Sequence, residues 1–468
     1  MSFFESRLLL EVERKFLRFE RIILGALLVI LSILFCYFAT LPKYEDFWGL
    51  ILLSEGFAAG HYDIYKYMME IAGPASINGI QPPGYMILEG IWIKMGALMF
   101  HWDFGVNWAT AKININNPEG FPLWGMIPYL FALFSMVILT LKTVKDKWLA
   151  LIWFGPLAFV SMMIVGNSDI FVASLIFISL IFALKSFKEE NFLKFQFISI
   201  IFLGLSLWFK TFGGLLFPIY FLCFTTILSK KYSIFSFKFV KNVILYPIIF
   251  VLISLVIWIP YYQYYLTINM SRASVLWGST ISLFSENNIS IWLIGFLVIL
   301  YSLFKILTYN ENVVQKINNI FILYIFISFS WMFMTVYSHT QWWLILIPCI
   351  ILILDNNNDI LNYTFYFSLA IVYLLHPLKW ATVIVPALNF YYPVQLIIKF
   401  APTNFLIIVD TLIFSLLLIW NVDLLKNNFF KDSKRIVISS KFSKIFIILP
   451  IFALFILLII CRLPEFLS

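Results

Sequence analysis

Charged residues are scarce in this sequence. Asp, Glu, Lys and Arg together make up 12% of its 468 residues, whereas 62% of the residues are hydrophobic. A soluble domain needs about a quarter of its residues to be charged in order to cover its surface. A chain this apolar cannot hide its side chains from water in a globule, so lipid must surround much of it. The scarcity of charge therefore excludes an ordinary soluble protein.

Metal-binding and nucleotide-binding patterns are also missing from the sequence. The four cysteines lie in apolar segments and have neither metal-ligand spacing nor the arrangement of a disulfide framework. No HExxH, CxxC or P-loop pattern is present. The net charge of +8 comes from basic residues in short loops, which is typical of membrane topology and not of a nucleic-acid-binding face. We therefore expect no metal, no cofactor and no nucleic-acid partner.

Long apolar segments fill the chain instead. A membrane-spanning helix takes about 20 residues, and thirteen segments are predicted to cross: 22–40, 122–142, 147–165, 168–187, 195–209, 211–228, 242–260, 289–307, 318–336, 341–354, 360–376, 404–424 and 443–461. Two further apolar stretches, 84–100 and 381–400, are interrupted by Pro or Gly and by charge. The sequence thus predicts an all-α integral membrane protein with about 13 transmembrane helices, within a range of roughly 12–14.

The distribution of Lys and Arg predicts the orientation of these spans. If 84–100 and 381–400 do not cross and the N-terminus is cytoplasmic, most of the 32 Lys and Arg residues fall on the cytoplasmic side. Residues 41–121 are then one long outer loop that contains a non-spanning apolar helix. We predict that residues 1–21 form a cytoplasmic interfacial helix, with a frayed tail as the alternative, and that residues 22–468 form a single polytopic membrane domain.

Carboxylates stand at the beginning of the long outer loop. Glu45 and Asp46 follow the first span directly, in the sequence YEDF, and Asp63 follows in GHYDIY. A carboxylate at the membrane boundary can act as a general base on a hydroxyl group, and apolar surroundings would raise its pKa toward a useful value. Solvated acids at a helix end would have the same sequence pattern.

Two polar turns interrupt the apolar segments further along. Asn167, Ser168 and Asp169 lie in GNSDIF, where they can cap the following helix or contact a sugar or phosphate. Lys210 lies in LWFKTFGG, between aromatic residues. It can extend along the apolar surface toward the interface or hold the phosphate of a lipid.

Two segments of the C-terminal half carry further candidates. Arg272 is the only basic residue of the aromatic outer loop 261–288, and Arg suits bidentate recognition of phosphate. The aromatic residues themselves are also typical of membrane interfaces. His339 and Gln341 lie at the outer start of a predicted span, although a lone His is more often structural than catalytic.

In this order, the motifs resemble those of GT-C-type glycosyltransferases that use a polyprenyl-phosphate sugar. The chain is similar to the prokaryotic multi-spanning mannosyltransferases and, more distantly, to glycosylphosphatidylinositol mannosyltransferase I. The matching features are the acid in YEDF, the first-loop sequences GHYDIY and PPGYMIL, the GNSDIF turn followed by GLSLWFK, and the H-x-Q-aromatic run that begins at His339. They cover much of the N-terminal half of the chain and a short segment near Gln341.

The resemblance implies a donor sugar, expected to be mannose, on a polyprenyl phosphate, and inversion at the anomeric carbon. Asp46 would be the general base, with Glu45 beside it, while Lys210 and His339 would lie near the donor phosphate. Some relatives carry a D-x-D pair in the first loop where this chain has Glu45-Asp46, so we expect transfer without a metal. The expected partners are the lipid-phosphate sugar, a glycan or glycolipid acceptor, and membrane lipids.

The same interpretation places the active site at the non-cytoplasmic face, in a prokaryotic plasma membrane in preference to an endoplasmic reticulum. Two other functions stay open. A lipid-linked oligosaccharide flippase or transporter would keep ionisable residues inside the bundle, and the sequence shows few besides Asp410. A polymerase or ligase of surface polysaccharide would use outer Arg and His residues such as Arg272 and His339.

Overall fold

A computed structural model describes most of the chain. The described residues are 3–40, 54–72, 82–101, 121–159, 162, 168–268, 280–284, 287–309, 312–335, 340–356, 359–374, 403–429 and 440–467. The predictions for Glu45, Asp46, Asn167, Arg272 and His339, and for the segment 381–400, fall on residues outside these ranges. The backbone of Gln341 is described, but its side chain is not.

Helices dominate the first part of the fold. They are α1 (Phe3–Ala39), α2 (54–58), α3 (Ile64–Ala72), α4 (Pro83–Phe100), α5 (Phe121–Thr143), a 3₁₀ helix (Lys147–Phe154), α6 (Pro156–Phe159), α7 (Asp169–Ser186), α8 (Phe192–Ser206), α9 (Phe212–Lys231), α10 (Phe237–Val256), a short 3₁₀ helix (Ile259–Tyr261) and α11 (262–268).

The remaining elements begin with a β-hairpin and are otherwise helical. They are β1 (Thr280–Phe284), β2 (Asn287–Ser290), α12 (Ile291–Tyr309), α13 (Val313–Thr335), a 3₁₀ helix (Thr340–Leu346), α14 (Ile347–Asn356), α15 (Ile360–Tyr373), α16 (Thr403–Phe429) and α17 (Ser440–Leu467). Across the described ranges, seven helices (α1, α5, α7, α9, α10, α12 and α13) are long and apolar enough to cross a membrane. The chain is therefore a helical, multi-pass membrane protein.

Two predicted segments have a different form in the structure. Residues 1–21 were expected to form a helix separate from the first span, but one unbroken helix covers Phe3–Ala39. The segment 147–165 was expected to be one span, but a 3₁₀ helix over Lys147–Phe154 gives way to the four-residue helix Pro156–Phe159. The break falls at Gly155-Pro156, because Pro disfavours the α conformation of the residue before it.

The β-hairpin is an exception to the predicted all-α fold. Its antiparallel strands pair Thr280 with Ser290, and an irregularity interrupts the register between Ser282 and Phe284. The hairpin follows the predicted spans of the first part of the chain and leads directly into α12 at Ile291. It is too small to form a core of its own, so the packing of the molecule remains that of a helical bundle.

The buried core lies among α7, α13 and α14. Most side chains on these helices are buried, including the polar Ser174 and Ser330. The peripheral helices instead expose large apolar side chains: Val29, Ile30 and Ile33 on α1, Val251, Leu252 and Leu255 on α10, and Leu297, Val298 and Tyr301 on α12. Apolar surfaces of this extent are stable only in contact with lipid or protein.

Helix α4 is fixed against α5 by a pair of tryptophans. The Trp92 indole N–H donates to the Trp124 carbonyl at 2.8 Å, the Trp124 indole N–H donates to the Trp92 carbonyl at 3.2 Å, and the two rings stack with centroids 4.5 Å apart. The helix begins at Pro83, a position that suits Pro because the first turn of a helix needs no backbone N–H bond. The buried face of α4 carries Tyr85 and Glu89.

Close packing of α12 on α13 depends on Gly295. A Cβ atom at this position would lie 2.1 Å from a Trp331 ring atom, and the Trp331 indole is held by a 3.0 Å hydrogen bond to the Trp292 carbonyl. We expect Gly295→Ala to lower the melting temperature of the purified protein, because overpacking typically costs about 1–3 kcal/mol.

The matched control for this prediction is Gly25→Ala. Gly25 also lies in a helix, but nothing is within 4 Å of its Cβ position. Ala favours the helix over Gly by about 1 kcal/mol, so this variant should melt at the same temperature as the wild type or slightly above it. Equal melting temperatures for Gly295→Ala and the wild type would show that the Trp331 ring moves aside at little cost.

Candidate active site

Asp169 and Lys210 form a buried ion pair. Asp169 is the first residue of α7, and Lys210 lies in the turn between α8 and α9. The exposed fraction is 0% for Asp169 and 1% for Lys210. The Lys210 backbone N–H donates to the Ser206 carbonyl at 3.1 Å, which holds the turn against the end of α8. Two charges can stay in this apolar interior because each compensates the other.

Aromatic side chains enclose the ion pair. The rings of Phe171 and Phe209 stack with centroids 5.4 Å apart, and the Lys210 ammonium lies 5.9 Å from the centre of the Phe212 ring. Lys210 is therefore buried against Asp169 and does not extend to the membrane interface. Ser168, which was a predicted cap, stands at the N-terminus of α7 but makes no capping hydrogen bond through its side chain.

The PPGY turn at the start of α4 packs against the turn that carries Lys210. The Gly84 backbone N–H donates to the Trp208 carbonyl at 3.0 Å. A Cβ atom at Gly84 would lie 2.5 Å from that carbonyl oxygen, so only glycine permits this approach. The contact brings the start of α4 to the turn that carries Lys210, although the two lie far apart in the sequence.

Two tyrosines and a carboxyl group complete what we call the buried cluster, which consists of Tyr85, Glu89, Tyr129, Asp169 and Lys210. The hydroxyl groups of Tyr85 and Tyr129 are hydrogen-bonded to each other. Glu89 lies four residues after Tyr85, on the same face of α4. Burial, then the Tyr129 hydroxyl and the Glu89 carboxylate, raise the pKa of Tyr85 well above its usual value. The Asp169 carboxylate also acts electrostatically on the Tyr129 hydroxyl.

Two buried carboxyl groups, those of Glu55 and Glu89, were not predicted from the sequence. Their exposed fractions are 1% and 0%, and neither carboxyl oxygen of either residue has a hydrogen-bond partner among the described residues. Helix α2, which carries Glu55, packs closely against α4, which carries Glu89. A Cβ atom at Gly90 of α4 would lie only 2.8 Å from the Ser54 carbonyl oxygen of α2. A lone Glu within the apolar run MILEGIW was the signal available in the sequence.

Asp63 lies in a different set of contacts. Its carboxylate accepts hydrogen bonds from the Gln263 amide at 3.4 Å and the Tyr264 hydroxyl at 3.3 Å, and from the Lys66 backbone N–H at 3.1 Å. The Tyr261 hydroxyl donates to the Tyr62 carbonyl at 2.8 Å. The predicted first loop and the segment after α10 are therefore joined at Asp63, and not at the buried cluster.

The chemistry of the buried cluster follows from its charges. Asp169 and Lys210 cancel each other, and burial raises the pKa of Glu89 well above its usual value, which favours the neutral acid. Burial raises the pKa of Glu55 to about 7, the range in which a carboxylate can accept a proton at neutral pH. Within the described ranges, no three His, Cys, Asp or Glu residues are grouped so that they could hold a metal ion.

Comparison of the chain with protein-family models, with curated proteins and with solved structures gave no match. The resemblance to GT-C-type glycosyltransferases therefore stays a prediction from the motifs. Of the nine predicted site residues, the structure describes the side chains of three, Asp63, Asp169 and Lys210. It brings Asp169 and Lys210 into direct contact and places Asp63 with partners from another part of the chain.

Removal of one member of the ion pair should destabilise the protein strongly. We expect Lys210→Met to lower the free energy of unfolding by about 3–5 kcal/mol, because the Asp169 charge is then buried without compensation. The double variant Lys210→Met/Asp169→Asn should recover most of this loss, because both charges are gone. Thermal unfolding of the wild type and of both variants in detergent measures these differences.

The control for this comparison is the exposed pair of Lys66 and Glu70. Their charged atoms are 3.8 Å apart and their side chains are 65% and 62% exposed, so Lys66→Met should change the free energy of unfolding by less than about 1 kcal/mol. A Lys210→Met protein as stable as the Lys66→Met protein would contradict the importance that we give to the buried pair.

Glu55 should make stability depend on pH. Its pKa rises from 4.5 in the unfolded chain to about 7 in the folded protein, so between these values the folded protein binds more protons. The free energy of unfolding contributed by Glu55 therefore falls as the pH rises through this window. Glu55→Gln cannot ionise. It should melt at the wild-type temperature below pH 4.5 and at a higher temperature than the wild type above pH 7.

The exposed Glu70 provides the control for the pH experiment. Glu70→Gln should melt at the wild-type temperature across the whole pH range, because its side chain is exposed and surface substitutions usually change stability little. A constant difference between Glu55→Gln and the wild type at every pH would show that Glu55 does not titrate in this window.

Proposed function

We propose that this protein is a membrane glycosyltransferase of the GT-C type, with about 13 spans, which moves a sugar from a polyprenyl-phosphate donor to a lipid-linked or glycan acceptor. The convergence of three motif segments supports this proposal. PPGY, GNSDIF and LWFK are far apart in the sequence, and Gly84, Asp169 and Lys210 bring them together in one buried place. Segments of a shared site are expected to converge, whereas unrelated helix caps and turns are not.

The position of the buried cluster along the helices also supports an active site near one membrane face. Asp169 begins α7, Lys210 precedes α9, and Tyr129 and Glu89 lie in the first halves of α5 and α4. The cluster therefore lies near the end at which these helices begin. By the distribution of basic residues this is the non-cytoplasmic end, where lipid-linked sugars meet acceptors outside the cell, and we favour a prokaryotic plasma membrane.

In the proposed reaction, Asp46 takes the proton from an acceptor hydroxyl, with Glu45 beside it. The hydroxyl oxygen then forms a bond to the anomeric carbon while the bond from that carbon to the lipid-phosphate oxygen breaks, which inverts the configuration. The lipid phosphate already is a leaving group, so one base and cationic contacts to the phosphate are sufficient, and we propose that no metal takes part. Mannose is the sugar that the motifs favour.

The ion pair changes the roles proposed for the cationic residues. Lys210 is compensated by Asp169, so its charge is not available to a phosphate unless the pair opens. We therefore assign the donor phosphate to Arg272 and His339, and give Lys210 and Asp169 the task of positioning the turn before α9. Asn167 remains a proposed contact of the sugar or phosphate, and we assign Gln341 and Asp63 to substrate binding as well.

A second candidate function, a lipid-linked oligosaccharide flippase, is favoured by one observation. The sequence showed few ionisable residues inside the bundle, but the structure buries Glu55, Glu89, Asp169 and Lys210. Ion-coupled transporters use such groups. They usually place them near the middle of the membrane, however, whereas Asp169 and Lys210 lie at helix ends. The position of Asp169 and Lys210 at helix ends therefore favours a glycosyltransferase with its site near the membrane face over a flippase.

The test is sugar transfer by the purified protein in detergent, from radiolabelled polyprenyl-phosphate mannose to a crude lipid extract of its host, with and without a chelator. We expect transfer in both conditions. Asp46→Asn should reduce the rate by about 10²–10⁴-fold, the usual contribution of a general base, and should melt at the wild-type temperature. Glu70→Gln, an exposed carboxylate of the same loop, should transfer at the wild-type rate.

Two results would count against the proposal. Near-normal transfer by Asp46→Asn would overturn the assignment of the base while leaving the class of enzyme intact. A wild-type protein that binds the donor but transfers nothing would favour the flippase, which reconstitution in vesicles with a labelled lipid-linked oligosaccharide then tests directly.

A further inference from the structure

The proposed reaction does not explain why Glu89 lies in the buried cluster. Its side chain is wholly buried, on a helix face that it shares with Tyr85, Gly90 and Ile93. Neither of its carboxyl oxygens has a hydrogen-bond partner among the described residues. Buried polar groups of native proteins are nearly always hydrogen-bonded, so an exception calls for an explanation such as a bound ligand or a functional role.

An ionised Glu89 would need a nearby cation. A carboxylate without a partner in an apolar interior costs far more than a neutral acid, and the group normally takes up a proton instead. Lys210 is the cation of the cluster, and it is paired with Asp169. Among the residues that the structure describes, the other titratable groups of this region cannot supply a positive charge: Tyr85 on α4 itself, Tyr129 on α5, Asp169 on α7 and Glu55 on the adjoining α2.

We propose that the buried cluster is a proton-binding site in which Glu89 holds the proton as a neutral carboxylic acid, next to the hydrogen-bonded Tyr85 and Tyr129 hydroxyls. With Glu89 neutral, the whole cluster carries no net charge, because Asp169 and Lys210 cancel. The acid O–H is then a hydrogen-bond donor available for an incoming oxygen atom. Release of this proton would create a second buried carboxylate near the one that Lys210 already compensates.

This site bears on the proposed function without depending on it. If the protein transfers sugars, a neutral and hydroxyl-rich cluster suits the hydroxyl groups of a sugar better than a phosphate, which needs a positive partner. If it transports lipid-linked sugars instead, a buried acid is the type of group that exchanges protons during transport. Glu89 carries a proton in both cases, so the proposal can be tested without a sugar.

Infrared spectroscopy of the purified protein in lipid tests the proposal directly. The C=O stretch of a protonated carboxylic acid is distinct from the stretches of a carboxylate, and it shifts when H₂O is replaced by D₂O. We expect the wild type at neutral pH to show an acid band that is lost from Glu89→Gln and from Glu89→Met. The band should persist above pH 7, at which Glu55 has ionised.

Two controls keep the result interpretable. Glu70→Gln removes an exposed carboxyl group outside the buried cluster, so the acid band that we assign to Glu89 should be unchanged in it. Glu89→Met places an apolar side chain of similar size in an apolar site, so it should fold even if the amide of Glu89→Gln is poorly accommodated. Loss of carboxylate bands and not of an acid band from the Glu89 variants would show that Glu89 is ionised and would overturn the proposal.

Discussion

The buried ion pair between Asp169 and Lys210 is the interaction on which one end of the helical bundle depends. Neither charge is stable in an apolar interior alone, so each residue requires the other to be in place. The pair joins the first residue of α7 to the turn before α9. That turn also receives α4, because the Trp208 carbonyl accepts the hydrogen bond from Gly84. Elements from distant parts of the chain are held together by this contact.

The cancellation of charge within the pair determines what the buried cluster can recognise. A positively charged cluster would attract phosphate, whereas this one offers hydroxyl groups, a neutral acid and aromatic walls. The proposed division of the site follows from this difference. Phosphate is assigned to Arg272 and His339, which the sequence places in outer segments, and the hydroxyl-rich part of the ligand to the region near Tyr85 and Glu89. The lipid portion of a donor would remain among the exposed apolar side chains of the peripheral helices.

Hydropathy was sufficient to predict the class of protein and the apolar helix of the first loop, expected over 84–100 and found over Pro83–Phe100, because both depend on local composition. Seven helices long and apolar enough to span a membrane confirm the membrane class, while the count of thirteen stays a prediction. The partner of Lys210 could not be predicted, since it depends on the packing of α7 against a turn about 40 residues away. Glu89 was missed for the same reason: one acid in an apolar run shows its burial only when the neighbouring helices are in place.

The 3₁₀ helix before α14 has a consequence for the reach of that segment. An α-helix rises 1.5 Å per residue, so the 17 residues from Thr340 to Asn356 would cover only about 26 Å if all were α-helical. The seven 3₁₀ residues rise about 2.0 Å each, which lengthens the segment to about 29 Å, close to the roughly 30 Å hydrocarbon thickness of a bilayer. As an α-helix this segment would be short for a span. The larger rise of its 3₁₀ residues brings it to the length that a membrane crossing needs.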